Sequence, residues 1–379
     1  EMTWAGGPGH MNTFNSDGLV SRNNPELNSK ANKTKDEGMQ LYYAELSKPE
    51  NAQTVSQFNH PGIMFGAFTD FAHWDPAIDS RVTMVEVGNG EGQIHQGGYY
   101  PSYEYYVMAL DKGWHVAPTN NQDNHKGAWG NANDARTVIY TDNFSVDGLL
   151  DGMRDMSMYA TEDKNLEISY YLNGSMMGSI LETPDELHFT GAVQDPDPGE
   201  TVGTVQIVAN GGRVVYETVC DESTFLLDVT LEPQYNYYFL KVIQPDKDVA
   251  VTAPVWVGES TKAGITSFST DAPLIIEGES IDLTAELYNY DAQALVLDSI
   301  EYSLTVGAST TSLSVDTDPG SILSQATMTD TFTYTPAQPG LQTITLTVNG
   351  SIGNTPCTFT SSMELEVIAA AELTSVAID

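Results

Sequence analysis

Apolar and polar positions follow two rhythms along this chain, and the change falls near His188. Before it, three stretches carry a helical stripe. Met39, Tyr42, Tyr43 and Leu46 recur on one helical face, and Pro49 stops the pattern. Tyr103, Tyr106, Val107 and Leu110 repeat it, with Ser102 placed to cap the start and Gly113 just past the end. Val146, Leu149, Leu150, Met153 and Met156 form the third stripe, behind a possible Ser145 cap. Short strand-like runs lie between them at 10–14, 81–87, 115–119 and 137–140. Strands alternating with helices predict a mostly parallel sheet or barrel, with chemistry at the C-terminal strand ends.

After His188 the period is two. TVQIVANGGRVVYETV reads as two strands around an Asn210-Gly211 turn, and STFLLDVTL, YNYYFLKVIQ and APVWVG continue a small β-domain. Five further runs, from SIDLTAELYN to MELEVIA, predict an immunoglobulin-like sandwich. The expected fold is therefore multidomain, α/β followed by all-β. Its parts are a first domain over 1–187, a small β-domain over 188–258, an Ig-like β-sandwich over 259–370 and a linker over 371–379.

Charge narrows the function. The chain has 379 residues, with 15 Lys+Arg against 52 Asp+Glu, for a net charge of −37. Such a surface opposes sequence-independent nucleic-acid binding, which works by releasing counterions from phosphates. No apolar run reaches the roughly 18–20 residues of a membrane span. An acidic, Lys-poor composition suits a secreted or cell-surface protein, here expected to be prokaryotic. Cys220 and Cys357 are too few for a disulfide framework and lack a nucleophile context.

Candidate chemistry concentrates in the first 136 residues. His10 sits in Gly9-His10-Met11-Asn12, His60 in Asn59-His60-Pro61, and His125 closes Asp123-Asn124-His125. On an extended segment, a DxH pair sends both side chains to one face, where a carboxylate and an imidazole can share a cation. Such N/O donors suit zinc, manganese or iron. A lone histidine is more often a surface or core residue, and His60-Pro61 also reads as a turn. Several such residues nevertheless fall where strands should end, which favours one shared site. Arg136 either clamps an anionic oxygen or forms an ordinary surface ion pair. Glu86, closing the strand Val85-Glu86-Val87, either orients a ligand histidine or caps the next turn. The run Asp195–Glu200 lacks EF-hand spacing and reads as a turn. His73 and His95 have no companion motif, and Met176 and Met177 read as packing residues. Neither a GxSxG elbow nor a nucleotide-binding fingerprint occurs.

Taken in order, these pieces resemble the PHP (polymerase and histidinol phosphatase) superfamily, in its carbaryl-hydrolase-like CehA/McbA branch. The matching segments are Glu1-Met2-Thr3, Gly9-His10-Met11-Asn12, Asn59-His60-Pro61, Val85–Gly90, Ala109–Trp114, Asp123-Asn124-His125, Trp129-Gly130, Ala135-Arg136-Thr137 and Tyr159-Ala160-Thr161, with Asn210-Gly211-Gly212 and Ala253–Val257 in the following β-domain. The resemblance covers roughly residues 1 to 258. It implies the C-terminal part of a distorted (β/α)7 barrel holding two or three divalent metals (Zn, Mn or Fe). Glu1 then matches the metal-bridging carboxylate. His10, His60, Asp123 and His125 match metal ligands, and Arg136 matches a substrate-anion contact. The family's upstream HxH motif is missing, so the resemblance also implies a longer native polypeptide.

The expected activity is hydrolysis of a small phosphoester by metal-activated water. The alternative is a structural surface-layer or filament protein with a degenerate PHP-like domain, its partners being the missing N-terminal segment or other copies of itself. Carbohydrate or adhesin binding by the sandwiches is a third reading, to which Tyr235, Tyr237 and Tyr238 could contribute.

Overall fold

The computed structural model describes residues 2–3, 8–16, 35–62, 65–74, 76–182, 184–258, 263–270, 272, 274–289, 291, 293–307, 309–324 and 326–370. Glu1 and the expected linker over 371–379 lie outside them. The chain divides into two compact units, Glu1–Ser260 and Thr261–Asp379.

The first unit opens on a six-stranded mixed sheet. Its strands are β1 (Met2–Thr3), β2 (His10–Phe14), β3 (Val55–Asn59), β4 (Val82–Asn89), β5 (Tyr100–Pro101) and β6 (Ala117–Asn121). β1, β2 and β3 run antiparallel, β3–β4 and β4–β6 run parallel, and β5 closes antiparallel on β4. Every residue of β3 and β4 is buried, as expected of strands covered on both faces. Phe58 anchors the core: its ring meets Phe68, Phe71 and Trp114 at centroid distances of 4.5, 5.2 and 5.0 Å. Packing at this density makes deletion of any of these rings costly.

The helices form where the stripes predict, with local differences. Lys35–Leu46 buries Met39, Tyr42, Tyr43 and Leu46. Tyr103–Asp111 buries Tyr106, Ala109 and Leu110, but Ser102 does not cap it. The Ser102 hydroxyl donates instead to the Glu86 carbonyl at 2.8 Å, fastening the helix start to β4. Val146–Arg154 does start on its cap, the Gly148 N–H reaching Ser145 Oγ at 3.1 Å. Its buried positions are Gly148 and Gly152 rather than the apolar stripe. A Cβ on Gly152 would lie 2.4 Å from Ile139 Cγ2, so the helix approaches the neighbouring strand closely only because glycine is there.

The rest of the first unit is almost wholly antiparallel. Glu167–Leu172, Leu187–Gln194 and Thr224–Leu231 lie side by side in a four-stranded sheet. An eight-stranded sheet carries Arg136–Ile139 and Met158–Thr161 on one side and Tyr237–Ile243 and Val249–Thr252 further in. The hairpin Gly203–Ala209/Arg213–Cys220 turns at Asn210–Gly212, where Gly211 and Gly212 have φ of 69° and 72°.

The barrel expectation is corrected here. Strands make up 50% of the described residues and helices 13%. β2 meets β3 antiparallel, and Arg136–Ile139 reverses directly onto Met158–Thr161. A (β/α)7 barrel requires parallel strands returned by crossover helices, and among the described residues of the first unit parallel strand pairing is confined to β3–β4–β6 and the short pair Ile180–Leu181/Val255–Val257. The resemblance to the PHP superfamily, carried by short segments, does not survive this topology.

The second unit is all-β. Ala263–Ser269, Ile281–Asn289 and Ala326–Tyr334 make a three-stranded sheet, and Ser309–Asp316, Leu295–Val306, Gly340–Ile352 and Thr355–Val367 the main path of a five-stranded one. Every pairing within these two sheets is antiparallel. Leu283, Leu287, Leu297, Ile300, Ile344, Leu346 and Val348 from both sheets share one core.

Candidate functional site

Polar side chains interrupt the apolar sheet at the C-terminal ends of β3, β4 and β6. Period two places Gln57 and Asn59 on one face of β3 and Thr119 and Asn121 on one face of β6. Glu86, between them on β4, is only 3% exposed. Its Oε1 accepts from Asn121 Nδ2 at 2.9 Å and Gln57 Nε2 at 3.3 Å, and its Oε2 accepts from Asn89 Nδ2 at 3.0 Å and from the His60 N–H. Gln57 also donates to Asn59 Oδ1 at 2.9 Å and accepts from Thr119 Oγ1 at 2.9 Å. Burial pushes the Glu86 carboxyl up to about 8, against the pull of Asn121, His60 N–H and Asn89, and the Asp123 charge adds to the rise.

Two histidines stand over this network. His10 opens β2, where it pairs with Asn59, and His60 follows β3 directly. Their rings meet edge to face with centroids 4.8 Å apart, and Phe65 lies against both at 5.7 and 4.5 Å. His60 takes a φ of 31°, a conformation few residues with a Cβ adopt, while its N–H is held by Glu86. The Glu86 carboxylate thus contacts the backbone of His60.

The remaining sequence candidates lie on the loop after β6. β6 ends at Asn121, so Asp123 and His125 belong to this loop and not to a strand. The Asp123 side chain is 48% exposed and that of His125 81% exposed. His125 Nδ1 lies 2.8 Å from the Asp123 carbonyl and 3.7 Å from its Oδ1. Arg136 donates through Nη1 to the carbonyls of Asn133 and Ala135 at 2.8 and 2.7 Å, which closes its own loop. The structure therefore brings His10, His60 and Glu86 together and sets Asp123 close enough to act on Glu86. Gln57, Asn89, Thr119 and Asn121 were not singled out by the sequence reading. Their signal was a gathering of amide and hydroxyl side chains toward the C-terminal ends of these three strands.

No family model matches the chain. An uncharacterized protein of Chlamydia muridarum is 24% identical over 140 residues, covering 32% of this chain and 22% of that protein. The chain thus spans about a fifth of the length of that relative. Among solved structures, the CARDB domain of a Pyrococcus furiosus protein, in complex with di-metal ions, gives a TM-score of 0.21 at 12% identity over 28% of this chain and 87% of that one. An ASH/PapD-like domain of human CEP192 gives 0.22 at 16% identity over 29% of this chain and 88% of that one. The phosphoesterase reading, with its phosphoester substrate, is corrected together with the barrel that carried it. What stands is a β-rich, two-unit chain. Among its described residues, no helix is long and apolar enough to cross a membrane.

Proposed function

We propose that this chain is a β-rich binding and scaffolding protein of the cell exterior, whose first unit holds a divalent cation. The observation that carries the reading is the meeting of His10 and His60, 4.8 Å between ring centroids, beside the buried Glu86. Two imidazoles delivered by adjacent strands are nitrogen donors of the kind zinc, manganese and iron accept. Asp123 and His125 lie exposed on the neighbouring loop and join no ligand cluster with these rings among the described residues, so water would complete the coordination, while Arg136 closes that loop through its carbonyl contacts. Glu86 positions His60 through the backbone, a supporting role common beneath metal ligands. A net charge of −37 favours cation capture over anion binding at long range, and it keeps a displayed protein soluble. The second unit serves as a spacer or docking domain.

The test is metal analysis of the purified full chain beside a His10→Ala/His60→Ala variant. After dialysis the native chain should retain about one equivalent of transition metal more than the variant does. Equal metal content in two folded proteins would overturn the reading.

A further inference from the structure

A second constellation lies elsewhere in the first unit, built from residues with no shared motif. His95 comes from the loop between β4 and β5, Glu162 follows the strand Met158–Thr161, and Asp248 precedes the strand Val249–Thr252. One ligand atom from each lies within 4.8 Å of the other two. Glu162 is 2% exposed and firmly held. The hydroxyls of Tyr99 and Tyr103 donate to its Oε1 at 2.9 and 3.0 Å, and the Val249 N–H donates to Oε2 at 2.8 Å. His95 reaches in from the surface, Nε2 lying 2.8 Å from Asp248 Oδ1, with its side chain 45% exposed. The Asp246 charge also bears on Asp248, adding to the negative charge around the cluster.

Tetrahedral ligand atoms bound about 2.0–2.2 Å from a zinc ion lie about 3.3–3.6 Å apart. Atoms within 4.8 Å of one another therefore close by at most about 1.5 Å to share an ion. The exposure of His95 leaves one side of the cluster open to water, which supplies the remaining coordination.

We propose that His95, Glu162 and Asp248 form a divalent transition-metal site, with zinc as the matching ion. The set offers one imidazole nitrogen and two carboxylate oxygens, one of them locked by two tyrosines. A bound ion would clasp the β4–β5 loop to the neighbouring strands Met158–Thr161 and Val249–Thr252 of the eight-stranded sheet. The site is separate from the His10–His60 region and stands or falls independently of it.

The experiment titrates zinc into the full-length His10→Ala/His60→Ala chain by calorimetry and follows thermal unfolding in parallel. That chain should still bind one zinc ion. At a hundredfold excess over Kd, binding should raise the unfolding midpoint by about 5–10 °C. Adding His95→Ala or Asp248→Asn, both at side chains that reach solvent, should weaken zinc binding at least about 100-fold and abolish the thermal shift. Zinc affinity unchanged by either substitution would overturn the proposal. So would a folded double variant that binds no zinc, or a His95→Ala loss of stability that is identical with and without zinc, which would reduce the cluster to an ion pair.

Discussion

The two units solve the same packing problem with different materials. The second unit alternates apolar and polar residues along antiparallel strands, and its buried polar groups serve its own turns. Asn289 donates to the carbonyls of Gln293 and Ile322 at 2.8 and 2.9 Å, and Gln342 takes the Tyr334 hydroxyl and donates to Gln338 at 2.6 Å. The first unit buries a carboxyl group at the centre of a mixed sheet and surrounds it with amides. Burying an acid is unfavourable unless donors hold it, so a network of this kind marks where the fold was shaped by something other than packing. The candidate site therefore lies in the first unit.

Four substitutions sharpen this contrast. All five tryptophans (Trp4, Trp74, Trp114, Trp129 and Trp256) fall in the first unit, so tryptophan fluorescence reads that unit alone. Glu86→Ala should have the largest effect. It strands four buried donors and should cost about 3–5 kcal/mol in the fluorescence-detected urea transition. Leu346→Ala, at a core position of the second unit, should cost about 2–4 kcal/mol by circular dichroism while leaving the fluorescence midpoint in place. A shift in both signals would break the division of labour.

Asp111 gives the third test. It accepts the Gly211 N–H at 3.0 Å and the Tyr237 hydroxyl at 2.8 Å, and burial raises its carboxyl from 3.8 to about 6. The folded state therefore holds this proton more tightly than the unfolded chain does. Its contribution is fully present below pH 3.8 and is lost as pH rises through about 6. Asp111→Asn should flatten that decline by about 1–3 kcal/mol in unfolding measured between pH 4 and 7. Ser145→Ala should have the smallest effect. It removes the cap on Gly148 and should cost about 1 kcal/mol.

The helical stripes were legible because period 3.6 is local: Met39, Tyr42, Tyr43 and Leu46 all turn inward as their spacing predicts. The sheet architecture was not legible, because strand direction depends on partners far away in sequence. The alternation of short strands and helices before His188 suits a parallel barrel equally well until β2 is seen to pair antiparallel with β3. Strand limits mattered too. Expected strands over 81–87 and 115–119 run to Asn89 and Asn121, and those extra residues bring two of the four donors to Glu86. Ser102 shows that a residue suited to capping can find a better partner across the sheet. The His95 cluster had no local signal at all, since His95 and Asp248 lie 153 residues apart.

Zinc-edge anomalous diffraction, on crystals of the full chain grown with zinc, tests the central claim most directly. The account predicts a peak beside the facing rings of His10 and His60, above Glu86. A map with anomalous density elsewhere and none at those two imidazoles would contradict it.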